Sequence, residues 1–489
     1  MNLQPVPIFL ALSDNLQAMQ NLFPGDNDFI MRRFALPDGR DAGIVFIDGL
    51  ADAEPIGDLL MKPLMRGDDI TIGECGSATT IGEAADAILN GDTALFVDGY
   101  ATAVFVNTKG FPGRGIEEPQ TETVIRGPRE GFNENFRSNT ALIRRKLKNT
   151  HLRMEGVQAG KRTNTQLCLC WLDDVAQPSL IDEVRKRLKT IDVDAVLSDG
   201  YIEEYIEDAP RSIFQTIGYT EKPDVVAAKL LDGRCALIVD GSPFVLTMPM
   251  LFVENFHSPE DNSIRPYFAT FLRILRFAAF FVSLTAPAVY VALVNFHQEV
   301  IPTALLYTIS AATENTPFSS PLETAVMLFT FEVLREAGVR LPKPTGQAVS
   351  TVGALVMGQA AIEAGLVGAP VVIVIALSAV AGYVTPTVSD PLSLLRWIFL
   401  IFASMLGGFG LMLGCLILIT HLGSLESFGA PYLHPVAPFA PSDLGDTLIR
   451  APLWSLLKRP SIIHPKQTKR KNMKAPNFSG GVEGRGAEI

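Results

Sequence analysis

The chain has 489 residues, 48% of them hydrophobic and 19% charged, which is apolar for a soluble protein and concentrates the excess in the C-terminal half. That length predicts more than one domain. A formal charge of −11 argues against general nucleic-acid binding, so no nucleic-acid partner is expected.

The first residues, MNLQPVPIFLALSDNLQ, lack a basic start followed by a long apolar core and predict no secretory signal. Residues 1–108 read as a first soluble α/β module and residues 163–256 as a second. The first contains AGIVFIDGLADAEPIGDLLMKPL at 42–64 and ILNGDTALFVDGYATAVFVNT at 88–108. The second contains QLCLCWLDDVAQPSLIDEVRKRL at 166–188 and LLDGRCALIVDGSPFVLTMP at 230–249. Each copy predicts a strand and a helix, then a hairpin turning at Asp-Gly. Asp98-Gly99 matches Asp240-Gly241, and Gly91 matches Gly233. The polar stretch 109–162 reads as a connecting segment. Cys168 and Cys170 flank Leu169 on one apparent strand and share a face. With Cys75, Cys235 and Cys415 they predict buried free thiols in a reducing compartment.

Residues 257–440 read as an all-α membrane domain. Charge-free apolar runs predict spans near 277–296, 367–388 and 397–420, each above the roughly 18-residue threshold. A fourth span, near 346–363, is richer in small residues, which suit helix packing in lipid. Ser320-Pro321-Leu322-Glu323 reads as a capping box and Gly338 as a C-terminal cap. They bound a helix over 321–337 of about 25 Å, expected to be embedded or interfacial. Arg265, Arg273 and Arg276 precede the first span. Seven basic residues and no acidic ones lie between Lys458 and Lys474. Both flanks are therefore expected on the cytoplasmic side, which requires an even number of spans. Residues 441–489 read as a basic cytoplasmic tail with a disordered end. The expected fold class is an α+β soluble region of two similar α/β modules followed by an all-α polytopic membrane domain.

Two blocks carry a family resemblance. One is EEPQTETVIRGPREGFNENFRSNTALIRRKL at 117–147. The other centres on FEVLREAGVRLPKPTGQAVSTVGALVMGQAAIEAGLV, and the closing APFAPSDLGDTLIRAPLW fits as well. Over about residues 30–460 the chain resembles the A-type subunits of GerA-type spore germination receptors. Its start close to the first module resembles the stage V sporulation relative of those subunits. The resemblance implies a multi-pass protein of the spore inner membrane with both terminal regions in the spore core. It also implies a homo-oligomer, a permease-like B-type subunit and a C-type lipoprotein or another membrane partner. The implied function is a cation channel opened during nutrient-triggered germination, with monovalent cations as permeants.

The helix around 346–365 bears on that function from its own residues. Ala354, Gly358, Ala361 and Gly365 fall on one face that can approach another helix closely. Gln359 and Glu363 point to nearly the opposite side, where they would favour cations if they lined a pore. Val356 lies between the two faces, placed to form a hydrophobic gate. The competing reading has Gln359 bonded to a neighbouring helix and Glu363 at the membrane interface. Both remain open from the residues, and the resemblance favours the pore. Glu332, Arg335 and Glu336 would give a secondary ring or gating contact, but a local i,i+3 ion pair is favoured. Arg126, Arg129, Arg144 and Arg145 lack phosphate-loop spacing and read as a salt-bridged subunit contact. No GxxxxGK[ST], HExxH or GxSxG occurs and the six histidines are scattered. No catalytic residue, cofactor or metal is expected, and the chain is not expected to be an enzyme. A secondary transporter and a non-conducting assembly platform are the alternatives.

Overall fold

The computed structural model describes residues 6–67, 75–110, 118–119, 121–314, 316–340 and 356–470. The N-terminal half is built from two copies of one repeat. In the first, α1 (Leu12–Leu22) precedes β1 (Phe29–Ala35) and β2 (Asp41–Ile47). A helical segment over 53–66 leads to β3 (Cys75–Ala78), α2 (Ile81–Leu89), β4 (Thr93–Val97) and β5 (Ala103–Val106). In the second, α3 (Phe136–Lys146) precedes β6 (Leu152–Ala159) and β7 (Thr165–Leu172). Then follow α4 (Pro178–Thr190), α5 (Asp199–Ile206), β8 (Gly218–Thr220), α6 (Pro223–Asp232), β9 (Cys235–Val239) and β10 (Val245–Met248). The sheets have the orders β1-β2-β4-β5-β3 and β6-β7-β9-β10-β8, which are the same permutation.

Apolar side chains pack on both faces of each sheet, so the inner strands are nearly continuous buried runs. Thr80 and Glu83 close a capping box that starts α2. Gly91 and Gly233 end the matching helices at φ +95° and +100°, a conformation glycine adopts without steric cost. Gly99 and Gly241 turn the matching hairpins at φ +87° and +82°. Cys168 and Cys170 are buried on one face of β7, with their sulfurs 3.6 Å apart, and Cys235 is buried on β9, whereas Cys75 on the edge strand β3 is exposed and Cys415 half-buried, against the expected burial.

The repeat unit is longer than the sequence pattern indicates. It adds a helix and an edge strand at the front of each copy, so α3 and β6 fall inside the stretch read as connecting. β6 pairs with β7 along its whole length, yet Arg153, Glu155 and Gln158 punctuate it because it lies at the sheet edge. Only Leu152, Met154 and Ala159 in it are fully buried.

Arg144 of α3 joins the copies. Its guanidinium is fully buried and pairs with Asp26 and Asp28, each at 2.8 Å. It also donates to the Leu152 carbonyl at 2.9 Å. Asp26 in turn accepts the Met154 amide at 3.0 Å. The stretch before β1 is thereby fixed to the start of β6. Arg145 is engaged by Glu130. Arg144 therefore holds this chain's own fold together, and its full burial removes it from the subunit contact expected for it.

The C-terminal half is a helical bundle: α7 (Pro266–Phe296), α8 (Thr303–Thr313), α9 (Ser320–Arg340), α10 (356–363), α11 (Ala369–Tyr383) and α12 (Ser389–Ser424). Among the described residues, α7 and the helical stretch ending in α12 are long and apolar enough to cross a membrane. The expected spans at 277–296 and 397–420 lie within them. The expected span at 367–388 is a 15-residue helix ended by Thr385-Pro386, or about 22 Å at 1.5 Å per residue. For the span near 346–363, residues 346–355 lie outside the described residues. The helix expected over 321–337 runs through Gly338 to Arg340, 21 residues in all.

Phe214, Phe252, Phe256, Phe280, Phe399 and Tyr432 form an aromatic core where the second repeat meets the bundle. The chain after α12 returns over this junction. Tyr432 accepts the Phe252 amide at 2.8 Å through its carbonyl, and Arg470 reaches Asp232. Residues 441–470 thus dock on the second repeat, while 471–489 lie outside the described residues.

Glu254 anchors the same junction, paired with Lys229 at 3.0 Å and with Arg234. Burial raises its carboxyl, but Arg234 and Lys229 outweigh that and hold it at about 2, against an ordinary 4.5. A depressed acid stabilises the fold above its unfolded value and loses that contribution as pH falls from about 4.5 towards 2. Glu254→Gln should therefore flatten the fall of the thermal midpoint across that window, and an unchanged acid profile would contradict this assignment. Arg144→Met strands two buried carboxylates and should cost about 3–5 kcal/mol, read as a lowered midpoint of the purified chain.

Candidate functional site

The bundle holds charged side chains where apolar packing leaves little water. Arg396, two turns into α12, is 3% exposed. Its Nε donates to the Ser283 carbonyl of α7 at 3.0 Å, and its Nη2 to the Ser283 hydroxyl. Its Nη1 pairs with Glu332 of α9 at 3.2 Å. Ser378 of α11 donates to the Ser283 carbonyl at 2.7 Å. Glu332 also pairs with Arg335 at 2.9 Å. One network therefore ties α7, α9, α11 and α12.

Gly382 makes room for it. A Cβ there would lie 2.6 Å from Arg396 Nη2 and 3.1 Å from the Ser283 hydroxyl. Close approach, not φ, favours glycine at this position, since a Cβ would push the Arg396 fork from its partners.

Glu332, Arg335 and Glu336 do not gather into one cluster. Glu332 and Arg335 join the network, while Glu336 pairs with Arg340 at the exposed end of α9. Arg396 was not singled out from the sequence. It immediately precedes the charge-free run from Trp397, so it reads as an ordinary interfacial anchor. Only the fold shows that it points inward.

The residues expected on one helix are split. Gly358 of α10 is buried, and a Cβ on it would meet Val372 of α11 at 3.2 Å. Ala361 is half-buried. Gln359 and Glu363 are exposed, and Gln359 Nε2 donates to Glu363 Oε1 at 2.9 Å. Val356 is 56% exposed. Gly365 lies past the helix at φ +62°, where the Leu366 amide bonds back to the Ala361 carbonyl at 2.9 Å. It therefore shapes the turn into α11. Ala354 lies outside the described residues.

α12 is not continuous. Gly407 takes φ +61°, ψ −137° and breaks it. The Phe296 ring packs against the break, and the Gly408 amide donates to His297 Nε2 at 3.1 Å. A side chain thus satisfies backbone freed by the kink, as a buried irregularity requires.

The arrangement can place a polar pair, Gln359 and Glu363, on a face that this chain leaves uncovered, while the Arg396 network braces the helices behind it. Among the described residues no group of three His, Cys, Asp or Glu side chains could hold a metal ion.

Residues 17–462 match the family model described as Bacillus/Clostridium GerA spore germination protein. The uncharacterized membrane protein YfkQ of Bacillus subtilis (strain 168) is 42% identical, with 94% of this chain and 92% of that protein covered. Spore germination protein KA of the same organism is 41% identical over 96% of this chain and 89% of its own length. The crystal structure of the N-terminal domain of the A subunit of the Bacillus megaterium spore germinant receptor GerK3 aligns with a TM-score of 0.41 at 32% identity. That alignment covers 51% of this chain and 99% of the other.

If Gly382 exists to admit the Arg396 guanidinium, Gly382→Ala should lower the thermal midpoint of the purified chain, at a cost of about 1–3 kcal/mol. Arg396→Met should make the same change nearly harmless. Strictly additive losses would show that the two residues do not share this contact.

Proposed function

The chain belongs to the Bacillus/Clostridium GerA spore germination protein family, and from that membership we propose that it is a membrane subunit of a spore germination complex that oligomerises into a cation-conducting channel. The observation that carries the reading is the division of α10. Its glycine face is buried against α11, while Gln359 and Glu363 face outward from the chain. In a ring of copies that polar face would meet water, and a ring of carboxylates favours cations. Val356, on the same exposed side, is placed to narrow the path.

In this reading the channel opens during nutrient-triggered germination. The nutrient signal reaches the bundle through the second repeat, whose aromatic junction and docked C-terminal segment join it to α7 and α12. The proposed partners are further copies of this chain, a permease-like B-type subunit and a C-type lipoprotein, in the spore inner membrane. Both terminal regions lie on the core side, in keeping with the basic residues that flank the apolar helices. Names carried by relatives support the process, since one is called spore germination protein KA.

The break at Gly407 gives the transporter alternative its own observation, because transporters build sites at discontinuous helices. Inverted-repeat transporters pair such helices, and here the duplicated unit lies in the sheets while the break lies in the bundle. A non-conducting assembly platform is the remaining alternative.

Purified protein with its partners in liposomes should pass monovalent cations, with Glu363→Gln changing selectivity or conductance while leaving assembly intact. Absence of flux with all partners present sinks the channel reading. Saturable substrate-coupled flux would replace it with transport. Normal conduction by both Gln359→Ala and Glu363→Gln would remove these residues from the path.

A further inference from the structure

Glu323, in the first turn of α9, is 1% exposed. Its sequence context reads as a capping box with Ser320. In the structure its Oε2 instead accepts the amide of Gly368, the residue before α11, at 3.3 Å. Its Oε1 is buried and has no hydrogen-bond partner among the described residues. The Tyr290 hydroxyl of α7 is likewise buried and without a partner there. Tyr290 packs with Leu328 of α9 and Val371 of α11, and against Ala325, two residues on from Glu323. Among the described residues no lysine, arginine or histidine pairs with Glu323, whereas Glu332, further along α9, has two arginines.

The surroundings add negative potential. Ala312, in the last turn of α8, presents its carbonyl 3.4 Å from where a Cβ on Gly368 would stand. The final carbonyls of a helix lack intrahelical partners and carry the negative end of its dipole. Tyr290, Leu328, Val371 and Ile375 pack as an apolar cluster beside this corner. A carboxylate in such a place is costly unless a positive charge answers it.

We propose that Glu323 Oε1 and the Tyr290 hydroxyl hold a monovalent cation at the meeting point of α7, α8, α9 and α11. One carboxylate matches one positive charge, whereas divalent sites draw on several. An all-oxygen donor set suits an alkali ion rather than a soft metal. The site is separate from the Gln359–Glu363 face, because Glu363 is on another helix and exposed. A cation bound here pins the start of α9 to the start of α11 whether or not the chain conducts.

The test uses the purified full chain in detergent, where no flux is measured, so its outcome is independent of the channel reading. Thermal midpoints are compared in NaCl, KCl and N-methyl-D-glucamine chloride at equal ionic strength. Wild type should show a saturable rise with sodium or potassium over the organic cation, since a ligand of the folded state stabilises it. Glu323→Gln should abolish that rise. Tyr290→Phe keeps the ring packing and should move the half-saturating concentration up by about tenfold, the equivalent of one lost ligand contact. The site does not exist as proposed if wild type shows no cation-specific rise, or if Glu323→Gln keeps it. Should Glu323→Gln fail to fold, Tyr290→Phe decides alone, and saturation at the wild-type concentration overturns the proposal.

Discussion

A charge removed from water must find its counter-charge inside the fold, and this constraint organises the chain from end to end. Arg144 answers Asp26 and Asp28 between the two repeats. Glu254 answers Lys229 and Arg234 at the junction with the bundle. Arg273 and Arg276 share Asp261 at the foot of α7, and Arg396 answers Glu332 among the helices. The Arg144 and Arg396 pairs join elements far apart in sequence, and the Glu254 and Asp261 pairs tie neighbouring stretches where one layer meets the next. Breaking such a pair leaves an uncompensated charge, which costs far more than an exposed ion pair contributes. Glu323 departs from the pattern, and that departure is what marks it.

The duplication explains the architecture of the N-terminal half. Two sheets with one strand permutation, the same glycine-ended helix and the same Asp-Gly hairpin bury their inner strands on both faces. The copies are not equivalent in position. The first meets the second through Arg144, while the second meets the bundle through Phe214, Phe252 and Phe256 and is overlaid by residues 441–470. A displacement of the second repeat would therefore bear on α7 and α12 together, and through Arg396 on α9 and α11.

Much of this was legible in the residues. The paired Asp-Gly turns locate the hairpins, and the paired glycines at 91 and 233 the helix ends, because only a few residue types accept positive φ. The apolar runs at 277–296 and 397–420 fall within the two long helices because length and hydropathy are local properties. The opposition of Gly358 to Gln359 and Glu363 follows from helical periodicity. The front of each repeat was hidden because β1 and β6 are edge strands, whose exposed charged positions break up the apolar pattern.

By itself, then, the sequence determined which stretches are repeated, where they turn, which are apolar and which family they resemble. Those properties are written within a few residues of one another. Tertiary structure alone decided that Arg396 points inward to Glu332, that Arg144 binds carboxylates more than a hundred positions away, and that Glu323 caps a neighbouring helix instead of its own. The physical reason is shared by all three. A charged side chain looks the same in sequence whether water or a distant partner solvates it, and only packing removes the water.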